Sequence, residues 1–166
     1  MHKFRKFLIL FIASAVIFSL QREVTASDIN LPKVSINPNS HLLYSFKRLF
    51  EKSFLFTKFT NQSKADYYRD LTLTRMSELK NVVDGNLLGE VEQSAQRFSY
   101  QVGVLSDFLA ANGTSVVDKK SKNIEILNEL KDPLIKLRDK HKYDSSYWML
   151  IQHSIDSIDL NLQKLK

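Results

Sequence analysis

Cysteine is absent from the chain, which excludes disulfides, thiolate zinc sites, thiol nucleophiles and a lipid attached through sulfur in one step. A domain built from it must hold by packing alone. Glycine and proline are scarce too, four and three among 166 residues. No window is dominated by proline, serine or glutamine, so long disordered stretches are not expected beyond the first forty or so positions. There is no Gly-rich phosphate loop, no Gly-x-Ser-x-Gly, no His-Glu-x-x-His and no calcium loop, and phosphate, acyl-transfer and metal chemistry therefore lack their usual scaffolds. No internal repeat is visible. A length of 166 residues with 43% hydrophobic and 25% charged residues is enough for one ordinary core.

The strongest positive signal lies at the start. His2, Lys3, Arg5 and Lys6 precede an apolar run over residues 7–20, which ends at Gln21-Arg22-Glu23. At 14 residues the run has the length of a signal-peptide core and falls short of the roughly 20 that span a bilayer as a helix. Val24-Thr25-Ala26 offers the small residues that signal peptidase accepts, so residues 1–26 read as a signal peptide cleaved after Ala26, or as an uncleaved membrane anchor. Either way the expected location is extracytoplasmic, secreted or held at the outer face of the cytoplasmic membrane. Residues 1–26 also hold four bases and one acid, so the remainder keeps twenty bases against seventeen acids, a net charge of +3 where the whole chain has +6. Part of the pI near 9.4 is therefore targeting signal. The interleaved charges of the rest read as a solvated surface, with no nucleic-acid footprint.

Residues 27–39 form a polar tether containing Pro32 and Pro38, and residues 40–166 carry helical periodicity throughout. Asn39 or Ser40 can cap a first helix in which Leu42, Leu43, Phe46, Leu49, Phe50 and Ser53 share a face expected to turn inward. Phe54, Leu55, Phe56 and Phe59 make its end unusually apolar, and Thr60-Asn61-Gln62 reads as a turn. Ser63 with Asp66 resembles a capping box for a second helix. Its expected inner face is Tyr68, Leu71, Thr72, Met76, Leu79, Val82 and Val83, and Asp84-Gly85 closes it with the residue that tolerates positive φ. Leu88, Val91, Ala95, Phe98, Val102, Leu105 and Leu109 form a third, closed by Asn112-Gly113. A fourth segment buries Leu127, Leu130, Leu134 and Leu137, with Asp132-Pro133 predicting either a kink or a cap followed by a restart with Pro133 at the first helical position. Asp144 can cap the last helix, with Tyr147, Ile151, Ile155, Ile158, Leu162 and Leu165 inside. The expected fold is an all-α, up-and-down bundle of four to five helices.

No catalytic residue, cofactor site or metal site can be nominated. His153, Asp156 and Asp159 are spaced by three, as are His141 and Asp144, but these residues lie opposite the buried isoleucines and read as a polar outer face. Trp148 beside Tyr147 and near Tyr143 reads as edge packing. Asn61 and Asn112 stand in Asn-x-Ser/Thr triplets and read as turn residues. Arg75 is the unexpected one. It falls between Leu71 and Leu79 on an apolar face, where an unpaired charge costs several kcal/mol. Glu51, on the second stripe Tyr44, Arg48, Glu51 and Leu55 of the first helix, is its candidate partner; the alternative is an Arg stem lying along the core edge with its head in water.

The same two helices carry a likeness. Leu43-Tyr44-Ser45-Phe46-Lys47-Arg48-Leu49-Phe50-Glu51-Lys52, then Lys64-Ala65-Asp66-Tyr67, then Arg75-Met76-Ser77-Glu78 resembles an exported bacterial helical domain of unknown function. That family opens Pro-x-Ser-Pro-Leu-Tyr-x-x-Lys-Arg-x-x-Glu and continues into a helix with Arg-Leu-x-Glu. Here His41-Leu42 replaces Ser-Pro. The resemblance, from Asn39 to Glu78, implies an exported helical domain and brings no catalytic residue with it. The expectation for function is a non-enzymatic interaction or structural module of the cell envelope, with an envelope protein or a membrane surface as partner and no nucleic acid; Phe54, Phe56 and Phe59 are the candidate docking surface, unless they are core. A small-ligand or metal binder of the envelope is the alternative.

Overall fold

Six helices follow one another without a strand among the described residues: α1 (His41–Leu55), α2 (Asn61–Asp84), α3 (Leu88–Ala111), α4 (Val117–Glu129), α5 (Lys131–Arg138) and α6 (Ser146–Lys164). The computed structural model describes residues 29–38 and 40–166. The signal-peptide reading of residues 1–26 and the cap reading of Asn39 lie outside them. No described helix is long and apolar enough to cross a membrane. Leu31–Lys166 form one compact unit.

The bundle is the expected up-and-down one. Asn61 donates through Nδ2 to Asn112 Oδ1 at 3.0 Å, so α2 and α3 are antiparallel; Asn61 is the first residue of α2 and no turn residue, whereas Asn112 follows the end of α3. Lys131 pairs with Asp159 at 2.7 Å and Arg138 donates to Gln152 at 2.6 Å, which sets α5 antiparallel to α6. Lys164 reaches Asp107 at 3.1 Å, so α6 runs parallel to α3, and the Lys140–Asp84 pair closes the far end. The core between these helices is Met76, Leu79 and Val82 of α2, Val91, Phe98, Val102, Leu105 and Leu109 of α3, Leu127, Leu130 and Leu134 of the α4–α5 segment, and Ile151 and Ile158 of α6, all fully buried. The 3–4 spacing in the sequence marks this seam because each of these helices turns an apolar stripe towards it.

Local details differ from the sequence reading where side chains compete with backbone signals. Helix α2 starts at Asn61 instead of Ser63, because Thr60 accepts from Ser63 N–H at 3.1 Å while Ser63 Oγ accepts from the Thr60 N–H at 3.3 Å. Asp66, free of capping duty, pairs with Arg69 and Lys119, both at 2.8 Å. Thr60→Ala is expected to lower stability by about 1 kcal/mol, read as a shifted urea midpoint at constant slope. At the other end Gly85 has φ −81°, and the left-handed residue is Asn86 at φ 52°. The chain breaks at Leu130, between α4 and α5, because Pro133 has no N–H to give the Glu129 carbonyl; Pro133 is third in α5, so the restart is not a proline at the first helical position. Ser145 caps α6 by accepting from the Trp148 N–H at 3.3 Å, while Asp144 takes the left-handed conformation at φ 60°.

Helix α1 is inverted relative to expectation. Leu42, Leu43, Phe46, Leu49 and Phe50 are exposed, at 56–79%, and Tyr44, Lys47 and Glu51 are buried. The backbone of α1 stands off from the bundle, which packs most closely through α2 with α3, α3 with α6 and α5 with α6. Long polar side chains fill the space beneath α1. Its docking partner on α2 presents two buried charges, and charge complementarity there outweighs the burial of an apolar stripe.

Candidate functional site

The densest group of ionisable side chains among the described residues lies in that space, built by α1 and α2 one turn at a time. Tyr44, Lys47 and Glu51 recur at spacings of three and four on α1, and Arg75 and Glu78 sit three apart on α2, so each set shares a face. Arg75 is 1% exposed. Its Nη2 donates to Glu51 Oε2, and its Nη1 lies 2.8 Å from both Glu78 carboxylate oxygens. Lys47 Nζ donates to Glu78 Oε1, and Tyr44 Oη donates to Glu78 Oε2 at 2.8 Å. The Tyr67 hydroxyl donates to the Glu51 carbonyl at 2.7 Å, and the Arg97 guanidinium of α3 caps the Tyr44 ring at 4.6 Å. Lys47 and Glu51 are themselves 3.9 Å apart, and Arg48 reaches Glu51 at the rim at 3.9 Å.

Two cations, Arg75 and Lys47, face two anions, Glu51 and Glu78, and the cluster is neutral as buried. Burial alone would favour the uncharged form of Glu78, but Arg75 and Lys47 outweigh it and hold the carboxyl below its ordinary 4.5. Burial likewise opposes the charge on Arg75, and Glu51 and Glu78 reverse that and raise it. The Tyr44 phenol is pushed up to about 12, chiefly by burial, with Glu78 adding to the rise and Arg75 opposing it. Burial and then Glu51 also raise Tyr67 above 10. Glu78 is therefore ionised and both phenols are protonated at neutral pH. The polar groups of the cluster are engaged with each other. The cluster works as a clasp between α1 and α2.

All five polar anchors of the clasp fall within residues 35–136, which match a family described as a domain of unknown function (DUF5667). The chain belongs to that family. No curated protein and no solved structure matches the chain. The matched part of the DUF5667 domain runs from before α1 into α5. Tyr44, Lys47 and Glu51, with Arg75 and Glu78, are also polar positions of the Leu-Tyr-x-x-Lys-Arg-x-x-Glu and Arg-Met-x-Glu segments read in the sequence, Arg48 at the rim being the other, so these positions attach α1 to α2 in this DUF5667 domain.

Arg75 and Glu51, named together from the sequence, meet. Glu78 and Lys47 were missed, although the Arg75-x-x-Glu78 spacing on one helix face was visible. The three phenylalanines nominated for docking separate. Phe54 is half-buried, tilted against the Tyr67 ring at 6.1 Å with Lys58 Nζ 5.1 Å from its own ring, and belongs to the α1–α2 contact; Phe56 and Phe59 are 84% and 90% exposed. A shallow groove lined by Phe56, Lys58, Phe59, Lys64, Tyr68 and Phe108 starts from them.

On the other flank of α1 an open cleft is lined by Tyr44, Ser45, Arg48, Leu49, Lys52 and Arg97. His153, Asp156 and Asp159 do not converge: Asp159 is held by Lys131 and Asp156 accepts from Gln152 at 2.8 Å. The described residues hold no group of three or more His, Asp or Glu able to bind a metal. Trp148 packs edge-on to Tyr143 at 4.9 Å and under Arg138 at 5.0 Å.

Proposed function

We propose that this DUF5667 domain is a non-catalytic interaction or structural module of the cell envelope, exported by residues 1–26 and working outside the cytoplasm. The observation that carries the reading is the inversion of α1. A helix with five large apolar side chains on one face and a Tyr-Lys-Glu stripe on the other is docked by the polar stripe. Water disfavours that choice unless the apolar face has a use. Its buried ionisable residues, Tyr44, Lys47 and Glu51, are consumed in fastening the helix, which supports presentation of a surface over catalysis. The signal-like segment at residues 1–20 supports the location.

A carboxy-terminal alkaline phosphatase fusion tests it in a bacterial host. The enzyme folds only where disulfides form, so an active fusion is expected that loses its activity when residues 7–20 are deleted, and an inactive full-length fusion would overturn the reading.

A further inference from the structure

The surface that α1 presents combines two properties, and together they select its occupant. Between residues 41 and 65 the chain has five bases and one acid, and the acid, Glu51, is buried in the clasp; between residues 66 and 166 it has fourteen bases and fifteen acids. The positive excess of the bundle therefore belongs to α1, the turn that follows it and the first residues of α2. Lys52 is exposed, and Arg48, Lys58 and Lys64 are partly so. The cleft beside Leu49 brings Arg48 and Lys52 together with Arg97, and no acid lines it. Arg97 Nη2 is used by Gln93 at 2.7 Å, whereas its Nη1 is buried without a hydrogen-bond partner among the described residues.

From this we infer that α1 lies flat on the surface of an anionic lipid bilayer. Leu42, Leu43, Phe46 and Leu49 enter the boundary between headgroups and acyl chains, and the Arg48–Lys52–Arg97 cleft receives a lipid phosphate. A second copy of the chain fits less well. A 15-residue helix is about 22 Å long, and one face of it about 10 Å wide offers far less than the about 800 Å² per partner of a standard protein interface. Two copies would also bring like charges together. A bilayer needs no shape complementarity and attracts Arg48, Lys52, Lys58 and Lys64, the bases outside the clasp. The apolar run at residues 7–20 is separated from α1 by residues 21–40, which reach at most about 70 Å fully extended. If the run is retained in the membrane, α1 is the second of the two contacts that stable anchoring requires.

The inference rests on the extracytoplasmic reading above, and the absence of cysteine makes a clean test. Phe46→Cys in the full chain, carrying a polarity-sensitive fluorophore, is mixed with vesicles of phosphatidylcholine and phosphatidylglycerol whose acyl chains are brominated. The expected result is a blue shift with quenching, weak in pure phosphatidylcholine, and a ratio of lipid-bound to free α1 that Lys52→Gln lowers about fivefold. Leu49→Cys should repeat it, and Asp156→Cys, exposed on α6, should stay in water. Three results overturn it: no quenching at Phe46→Cys or Leu49→Cys; a blue shift without vesicles that grows with protein concentration, which means a second copy; or one without vesicles at any concentration, which means cover by the chain itself. An active phosphatase fusion with an unquenched label overturns lipid docking alone, whereas an inactive fusion overturns the reading beneath it.

Discussion

Arg75→Met is expected to remove about 3–5 kcal/mol of stability, a large share of the 5–15 kcal/mol that domains of this size possess. The loss comes from what remains behind. With Arg75 gone, Glu51 and Glu78 stay buried with Lys47 as the single cation inside, so one carboxylate is left uncompensated in a site that excludes water. Urea unfolding followed by circular dichroism measures the cost. Removing a balanced pair separates this cause from lost packing: Arg75→Met with Glu51→Met leaves Lys47 and Glu78 as a neutral pair with Tyr44 still donating, and the double variant should be more stable than the single one. If the single variant matches the wild type, the clasp contributes nothing.

The same charges give the clasp a direction in pH. Glu78 is held below its ordinary 4.5 in the fold, so the native state binds fewer protons than the unfolded one in the acid range. Its contribution is therefore fully present above about pH 4.5 and is lost as pH falls through the depressed native value. Asp84, lowered by Lys140 and Lys80 against the effect of burial, acts in the same sense. Below about pH 4.5 the urea midpoint should fall, and Glu78→Gln, already weaker at neutral pH, should fall less steeply.

How much of this was legible depends on whether local pattern and tertiary choice agree. For α3 and α6 they agree. One apolar stripe on each is buried, and Val91, Phe98, Leu105 and Leu109, like Ile151, Ile155 and Ile158, are where the 3–4 spacing puts them. For α2 they agree in part, because α2 is covered on two sides; the second side buries Tyr67, Leu73, Arg75 and Glu78, which a one-stripe reading divides between inside and outside. For α1 they conflict. The density of leucine and phenylalanine picks one face, and the pair of charges waiting on α2 picks the other. The clue lay outside α1: an arginine in the middle of an apolar stripe demands a carboxylate, and that demand, taken first, orients α1 correctly. The capping of α2 failed for a smaller reason, since Thr60-x-x-Ser63 offers reciprocal bonds that Ser63-x-x-Asp66 was credited with.

Phe98→Ala is expected to cost as much as breaking the clasp, about 3–5 kcal/mol, and to do so in a different place. Phe98 is fully buried at the middle of α3, the helix that packs closely on both α2 and α6. Truncating it opens a cavity at the centre of the bundle that neighbours from two helices can only partly fill. Helix α1 makes little backbone approach to that core and is held by Glu51, Lys47 and Tyr44. The two variants should therefore part under native hydrogen exchange. Arg75→Met should speed exchange in α1 by more than it speeds exchange in α3. Phe98→Ala should speed exchange throughout α2, α3 and α6 by a common factor set by the global loss, leaving the local opening of α1 as it was. Equal patterns in the two variants would mean that α1 opens only when the bundle does, and α1 would then be part of the core's cooperative unit instead of a separately clasped helix.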